Sequence, residues 1–92
     1  MTFKTTVRDN KGQPIEGLLV TANDEINGES FSRSTDGGGY ADVAILGSYK
    51  VGDRVTLSVL DPQLRFKGSV QGDALVISAA DQVIEIVLDP FV

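Results

Sequence analysis

Apolar and polar residues alternate along most of the chain, and the alternation comes in short stretches. Phe3, Thr5 and Val7 share one face of the opening segment, with Lys4, Thr6 and Arg8 on the other. A period of two is that of a half-buried strand. Leu18, Val20 and Ala22 repeat the pattern against Leu19, Thr21 and Asn23. Segment 29–34 carries one large apolar residue, Phe31, among serines and Arg33, the composition of an edge strand. Ala41, Val43 and Ile45 mark a strand over 40–46, and Val55, Leu57 and Val59 mark another over 54–60. A further strand is expected over 64–70 around Phe66, a short run over 75–77, and a closing strand over 82–89 with Ile84, Ile86 and Leu88 inward.

The residues between these stretches are turn formers. Asp9-Asn10-Lys11-Gly12 combines side chains that bond their own backbone with a glycine free to take positive φ. Thr35-Asp36-Gly37-Gly38-Gly39 reads as a hairpin turn, and Asp61-Pro62 ends the fifth strand because proline donates nothing to a ladder. About seven short strands without a convincing helix predict an all-β fold. The expected architecture is an antiparallel two-sheet β-sandwich, immunoglobulin-like or transthyretin-like, with a barrel as the alternative.

Ninety-two residues supply one core, so residues 1–92 are expected to form one domain. The chain has no cysteine, and packing alone must hold it together. No apolar run approaches the roughly 20 residues of a spanning helix, so no membrane partner is expected. Charges interrupt the first nine residues, which lack the apolar segment of a secretory signal, and synthesis in the cytoplasm is the corresponding expectation. A net charge of −5 opposes a phosphate backbone, which excludes nucleic acid as a partner on electrostatic grounds.

Catalysis commonly needs a histidine, a cysteine or a metal, and the chain has neither residue. The chain is therefore read as no enzyme, with no catalytic residue, cofactor or metal assigned. Asp36, Asp42, Asp53 and Asp61 lie near strand ends, where aspartate serves turns. Asp24-Glu25-Ile26-Asn27-Gly28-Glu29 gathers oxygen ligands without the alternate spacing of a calcium loop. Gly37, Gly38 and Gly39 lead into a strand and not into a helix N-terminus, which makes them a turn and not a phosphate cradle.

Two stretches carry a resemblance. Val7-Arg8-Asp9-Asn10-Lys11-Gly12-Gln13-Pro14-Ile15-Glu16-Gly17-Leu18-Leu19-Val20, followed by Thr35-Asp36-Gly37-Gly38-Gly39-Tyr40-Ala41, resembles the carboxypeptidase regulatory-like and bacterial Ig-like families. The shared pattern is V-x-D-x-x-G-x-P-I-x-G-x-x-V and then T-D-x-x-G, and the likeness extends to the closing strand. It implies a seven-stranded sandwich used as a spacer, adhesion or docking module, and it implies no activity. Transthyretin-like hydrolases rely on histidines and a C-terminal Tyr-Arg-Gly-Ser, whereas this chain closes on Asp89-Pro90-Phe91-Val92.

The expected function is accordingly that of a non-catalytic structural or interaction module. A module whose strands begin at the second residue after Met1 and finish at Leu88 is read as a virion component made in a host cytoplasm. A capsid decoration or cement protein, or a tail accessory protein, would dock on capsid or tail proteins. The alternative is an adhesion or carbohydrate-binding module of a bacterial surface protein, placed outside the cell. Leu19, Leu60 and Val87 fall on the outward side of strands and are candidates for a docking patch. Tyr40 and Tyr49 are candidates for stacking on a sugar ring. Exposed sheet edges also make a homo-oligomer an expected possibility, with Lys4 and Arg33 read as charges guarding those edges.

Overall fold

The computed structural model describes residues 1–26, 28–46, 50–71 and 76–91, with Val70 and Gln71 described for their backbone. Seven strands form: β1 (Thr2–Asp9), β2 (Leu19–Asp24), β3 (Ser30–Ser34), β4 (Tyr40–Ala44), β5 (Val55–Leu60), β6 (Ser69–Gln71) and β7 (Gln82–Leu88). They make a β-sandwich of two sheets, β4-β1-β7 and β3-β2-β5-β6. All pairs are antiparallel except β1 with β7, the first and last strands, which run parallel. In an antibody constant domain the first strand joins the second, fifth and fourth; here β1 lies between β4 and β7.

The alternation read from the sequence is the alternation of burial. Phe3, Val7, Leu18, Val20, Ala22, Val43, Val55, Leu57, Ile86 and Leu88 are almost completely buried between the sheets. Thr6 lies in the outward row of β1 yet is nearly buried, because that strand is central and Thr6 sits in register between Tyr40 and Glu85.

Three turns share one construction. In each, an aspartate accepts the backbone N–H groups of the second and fourth residues beyond it on its carboxylate, and the third residue's N–H on its backbone carbonyl. Asp9 takes Lys11 and Gln13 at 2.9 Å each, with Gly12 closing the turn at 3.1 Å. Asp36 takes Gly38 and Tyr40 at 2.9 and 3.1 Å, with Gly39 closing at 2.9 Å. Asp61 takes Gln63 and Arg65 at 2.9 Å each, with Leu64 closing at 3.0 Å. The closing residue has positive φ in every case, 82° at Gly12, 76° at Gly39 and 57° at Leu64. A leucine pays about 1–2 kcal/mol for the left-handed conformation that glycine takes freely.

The Asp61 turn explains why the strand expected over 64–70 forms only from Ser69. Its carboxylate is buried and also receives Arg65 Nε at 3.1 Å, while Arg65 Nη2 donates to the Glu16 carbonyl at 3.0 Å. This curls the chain through Leu64 and breaks the alternation, leaving Leu64 exposed. Phe66 instead bridges to Pro90, with Lys67 N–H on the Asp89 carbonyl at 2.8 Å, and β6 begins only at Ser69. In the short run over 75–77, Leu75 lies outside the described residues. Val76 bridges to Arg54, and Ile77 is buried, donating its N–H to the Asp53 carbonyl at 2.9 Å.

Two further corrections concern placement. The turn at Asp36 is no hairpin, since β3 and β4 belong to different sheets and the connection crosses from one to the other. Lys4 guards no edge, because β1 is the central strand of its sheet; Arg33 does lie on an edge strand, β3.

The crossing is held by buried Thr35, whose hydroxyl donates to the Ile15 carbonyl at 2.7 Å and accepts the Leu18 N–H at 2.9 Å. Thr35→Val keeps the shape and leaves both groups unpaired, so urea unfolding should show a loss of about 2–3 kcal/mol. Leu64→Gly is expected to stabilise the fold by about 0.5–1 kcal/mol, since relieved strain exceeds glycine's added freedom, and calorimetry should register a higher Tm. Burial alone would raise the Asp61 pKa, but the N–H groups of Gln63 and Arg65 and the Arg65 guanidinium outweigh it and hold the carboxyl below its ordinary 3.8. A depressed folded pKa stabilises the fold above the unfolded value, and that stabilisation is lost as pH falls through the folded one. The stability gap between wild type and Asp61→Asn should therefore be constant near neutrality and shrink below about pH 4, measured by urea unfolding across the acid range.

Candidate functional site

The docking candidates do not form one patch. Leu19 and Leu60 are direct cross-strand partners on the outer face of the four-stranded sheet, 37% and 54% exposed. Tyr40 and Val87 lie on the outer face of the other sheet, separated by β1, where Tyr40 stands beside Thr6 and Val87 beside Arg8. Tyr49 lies outside the described residues.

The two outer faces differ in chemistry. On the three-stranded sheet the outward rows contain Asp42, Lys4, Arg8 and Glu85, both signs mixed with Tyr40, Val83 and Val87. On the four-stranded sheet the registers align three rows: Ser34, Leu19 and Leu60; Ser32, Thr21 and Ser58, extended by position Val70; and Ser30, Asn23 and Thr56. None of these residues is charged, although the chain carries eight basic and thirteen acidic residues. Several of the polar groups are paired along the rows. Thr21 and Ser32 share a hydrogen bond of 2.9 Å, Ser30 Oγ donates to Asn23 Oδ1 at 2.9 Å, and Thr56 Oγ1 donates to Glu25 at the rim at 2.7 Å.

A concavity of about 220 Å³ lies at the sandwich edge where β3 and β4 run near each other, lined by Arg33, Ser34, Asp36, Tyr40 and Asp42. Arg33 belongs by register to the core-side row of β3, opposite Val20, but on this edge strand it is exposed. Asp36 and Asp42 are the two of the four strand-end aspartates that share this place. Asp53 and Asp61 are buried elsewhere, with Asp53 accepting the Lys50 N–H at 3.1 Å.

In the 24–29 segment Asn27 lies outside the described residues, and the groups described are engaged in a turn. Asp24 is buried, its Oδ1 accepts the Ile26 N–H at 2.8 Å, and its carbonyl accepts the Gly28 N–H at 2.8 Å. Among the described residues no group of three or more acidic, histidine or cysteine side chains is placed to hold a metal ion. No described helix is long and apolar enough to cross a membrane.

The sequence matches no protein-family model and no curated protein. The resemblance read from the two turn motifs rests on those residues themselves.

Sequence reasoning passed over the serine rows and the company of Tyr40. The alternation of Ser30, Ser32 and Ser34 was a visible signal for an uncharged face. Nothing in the chain order signalled that Arg33 would line the same concavity as Asp42, because this depends on β3 and β4 lying at the same edge of two different sheets.

Proposed function

We propose that this chain is a non-catalytic docking module that attaches to a larger protein assembly through the outer face of the four-stranded sheet, as a virion decoration or tail accessory protein would. The uncharged face carries this reading. Covering a charged surface costs several kcal/mol per unpaired ion, whereas interface centres are depleted in charge. Hydroxyls already bonded to one another lose less when water leaves, and the Leu19–Leu60 pair adds apolar area that gains from cover.

The opposite sheet fits this role less well, since burying Lys4, Arg8, Asp42 and Glu85 would demand matched partners for each. The partner in this reading is a protein surface with a flat, largely uncharged patch, and a second copy of the chain is an outcome of the same test.

This role requires the reading frame to lie in a viral genome, and the test is co-sedimentation with purified particles of that virus. Wild type should pellet with the particles. Leu60→Glu and Ser58→Lys should each reduce the bound fraction at least about tenfold without altering thermal unfolding, while Val87→Glu on the other sheet should bind normally. Failure of wild type to pellet, or sensitivity at Val87 with none at Leu60, overturns the proposal; self-association lost on Leu60→Glu, without particle binding, replaces the partner by a second copy.

A further inference from the structure

The turn at Asp36 contains two glycines more than its geometry requires. Its two counterparts close on a single residue of positive φ, and in this turn that residue is Gly39. Gly39 is also hemmed in, since a side chain there would collide with the Val7 carbonyl oxygen. Gly37 has ordinary room, with only Glu16 Oε2 nearby at 3.6 Å. Gly38 is different. A Cβ on Gly38 would stand 2.6 and 2.7 Å from two ring carbons of Tyr40. The ring lies against the turn in a seat that only glycine provides, while Tyr40 stays 53% exposed and lines the concavity with Arg33, Ser34, Asp36 and Asp42.

The lining selects a kind of ligand. No ion pair joins Arg33 to Asp36 or Asp42 among the described residues, and Asp36 Oδ1 is occupied by the turn. The charged groups are exposed, and exposed ion pairs contribute little because water and salt screen them. Binding must then come chiefly from area covered on the aromatic ring, with donors and acceptors of both kinds around its border. A phosphate or carboxylate meets two aspartates, and a simple cation meets Arg33. A neutral ring with apolar C–H faces and a rim of hydroxyls uses every group present. The volume suits a single such ring, being below the roughly 300–1,000 Å³ of pockets for larger ligands.

We infer that the Tyr40 concavity is a saccharide subsite, which takes one neutral pyranose ring against the tyrosine and hydrogen-bonds its hydroxyls through Arg33, Ser34 and Asp42. The site shares Ser34 with the rim of the docking face but is centred on Tyr40 of β4, in the other sheet. One ring in an open site implies weak binding, with a Kd on the order of 1 mM.

The experiment is a heteronuclear NMR titration of the full chain with the methyl glycosides of glucose, galactose, mannose and N-acetylglucosamine, each to about 50 mM, a range set by that expected Kd. At least one sugar should give saturable shifts confined to the amides of Arg33, Ser34 and residues 36–42. Tyr40→Ala should weaken it at least tenfold, Tyr40→Phe should retain most of the affinity, and Gly38→Ala should weaken binding by displacing the ring while the remaining spectrum stays native. Leu60→Glu should bind the sugar as wild type does, so failure of the docking reading and failure of this one are separable. Absence of saturable shifts with all four sugars overturns the inference, as does affinity unchanged in Tyr40→Ala. A titration with glycine and with lysine serves as the charged control, and tighter binding of either at the same amides also overturns it.

Discussion

The backbone junction around Val7 and Gly39 is the contact on which the rest of this molecule depends. Val7 donates its N–H to the Gly39 carbonyl at 2.8 Å and accepts the Ile15 N–H at 3.2 Å, while Thr35 reaches from the same turn to Ile15 and Leu18. Gly17 N–H on the Thr35 carbonyl at 3.0 Å completes the lock. Three separated parts of the chain are thereby fixed on one another: the end of β1, the approach to β2, and the crossing from β3 to β4. Only a residue without a side chain fits at Gly39, so this close approach is what permits the chain to leave one sheet and enter the other. The parallel pairing of β1 with β7 and the antiparallel pairing of β1 with β4 follow on either side of it.

Carboxylates in this protein work first as turn builders. Asp9, Asp36 and Asp61 each replace water for two backbone N–H groups at a point where the chain reverses and no ladder supplies acceptors. Asp61 goes furthest, being buried and joined to Arg65, and it tolerates at Leu64 a backbone conformation that its two sister turns assign to glycine. An exposed leucine held in that conformation, next to a chain end that carries exposed Phe91, is a cost without a visible return inside the fold.

Charge is partitioned between the sheets. The outer face of the three-stranded sheet shows water a mixture of both signs, and the outer face of the four-stranded sheet shows it hydroxyls, an amide and two leucines. This partition does not follow from the fold, which requires only that outward positions tolerate water. It is a property of the outward residues chosen for β2, β3 and β5, and it is the reason the proposed docking is assigned to that sheet. Tyr40 belongs to the mixed face of the three-stranded sheet, on its edge strand β4, beside a turn whose Gly38 makes room for its ring.

Most of the fold was legible because a strand needs only a period of two and a turn needs only a few residue types in sequence. The inward rows of β1, β2, β4, β5 and β7, the edge position of β3 and the turn at Asp9 all follow from such local information. The stretch 64–68 misled for a physical reason: its alternation is real, but the buried Asp61 and its hydrogen bonds to Gln63 and Arg65 outweigh a weak strand preference, and the strand begins only at Ser69. Lys4 was misjudged as an edge guard because edge and centre are set by which strands pair, which no single strand announces. By itself, then, the sequence determined that this protein is a sandwich of short strands with a packed apolar interior, through alternation and turn chemistry acting over a few residues. Only the tertiary structure decided that Leu19 meets Leu60, that the serine rows join into one uncharged face, and that Arg33 and Asp42 line one concavity with Tyr40, because these depend on register and on sheet membership between segments far apart in the chain.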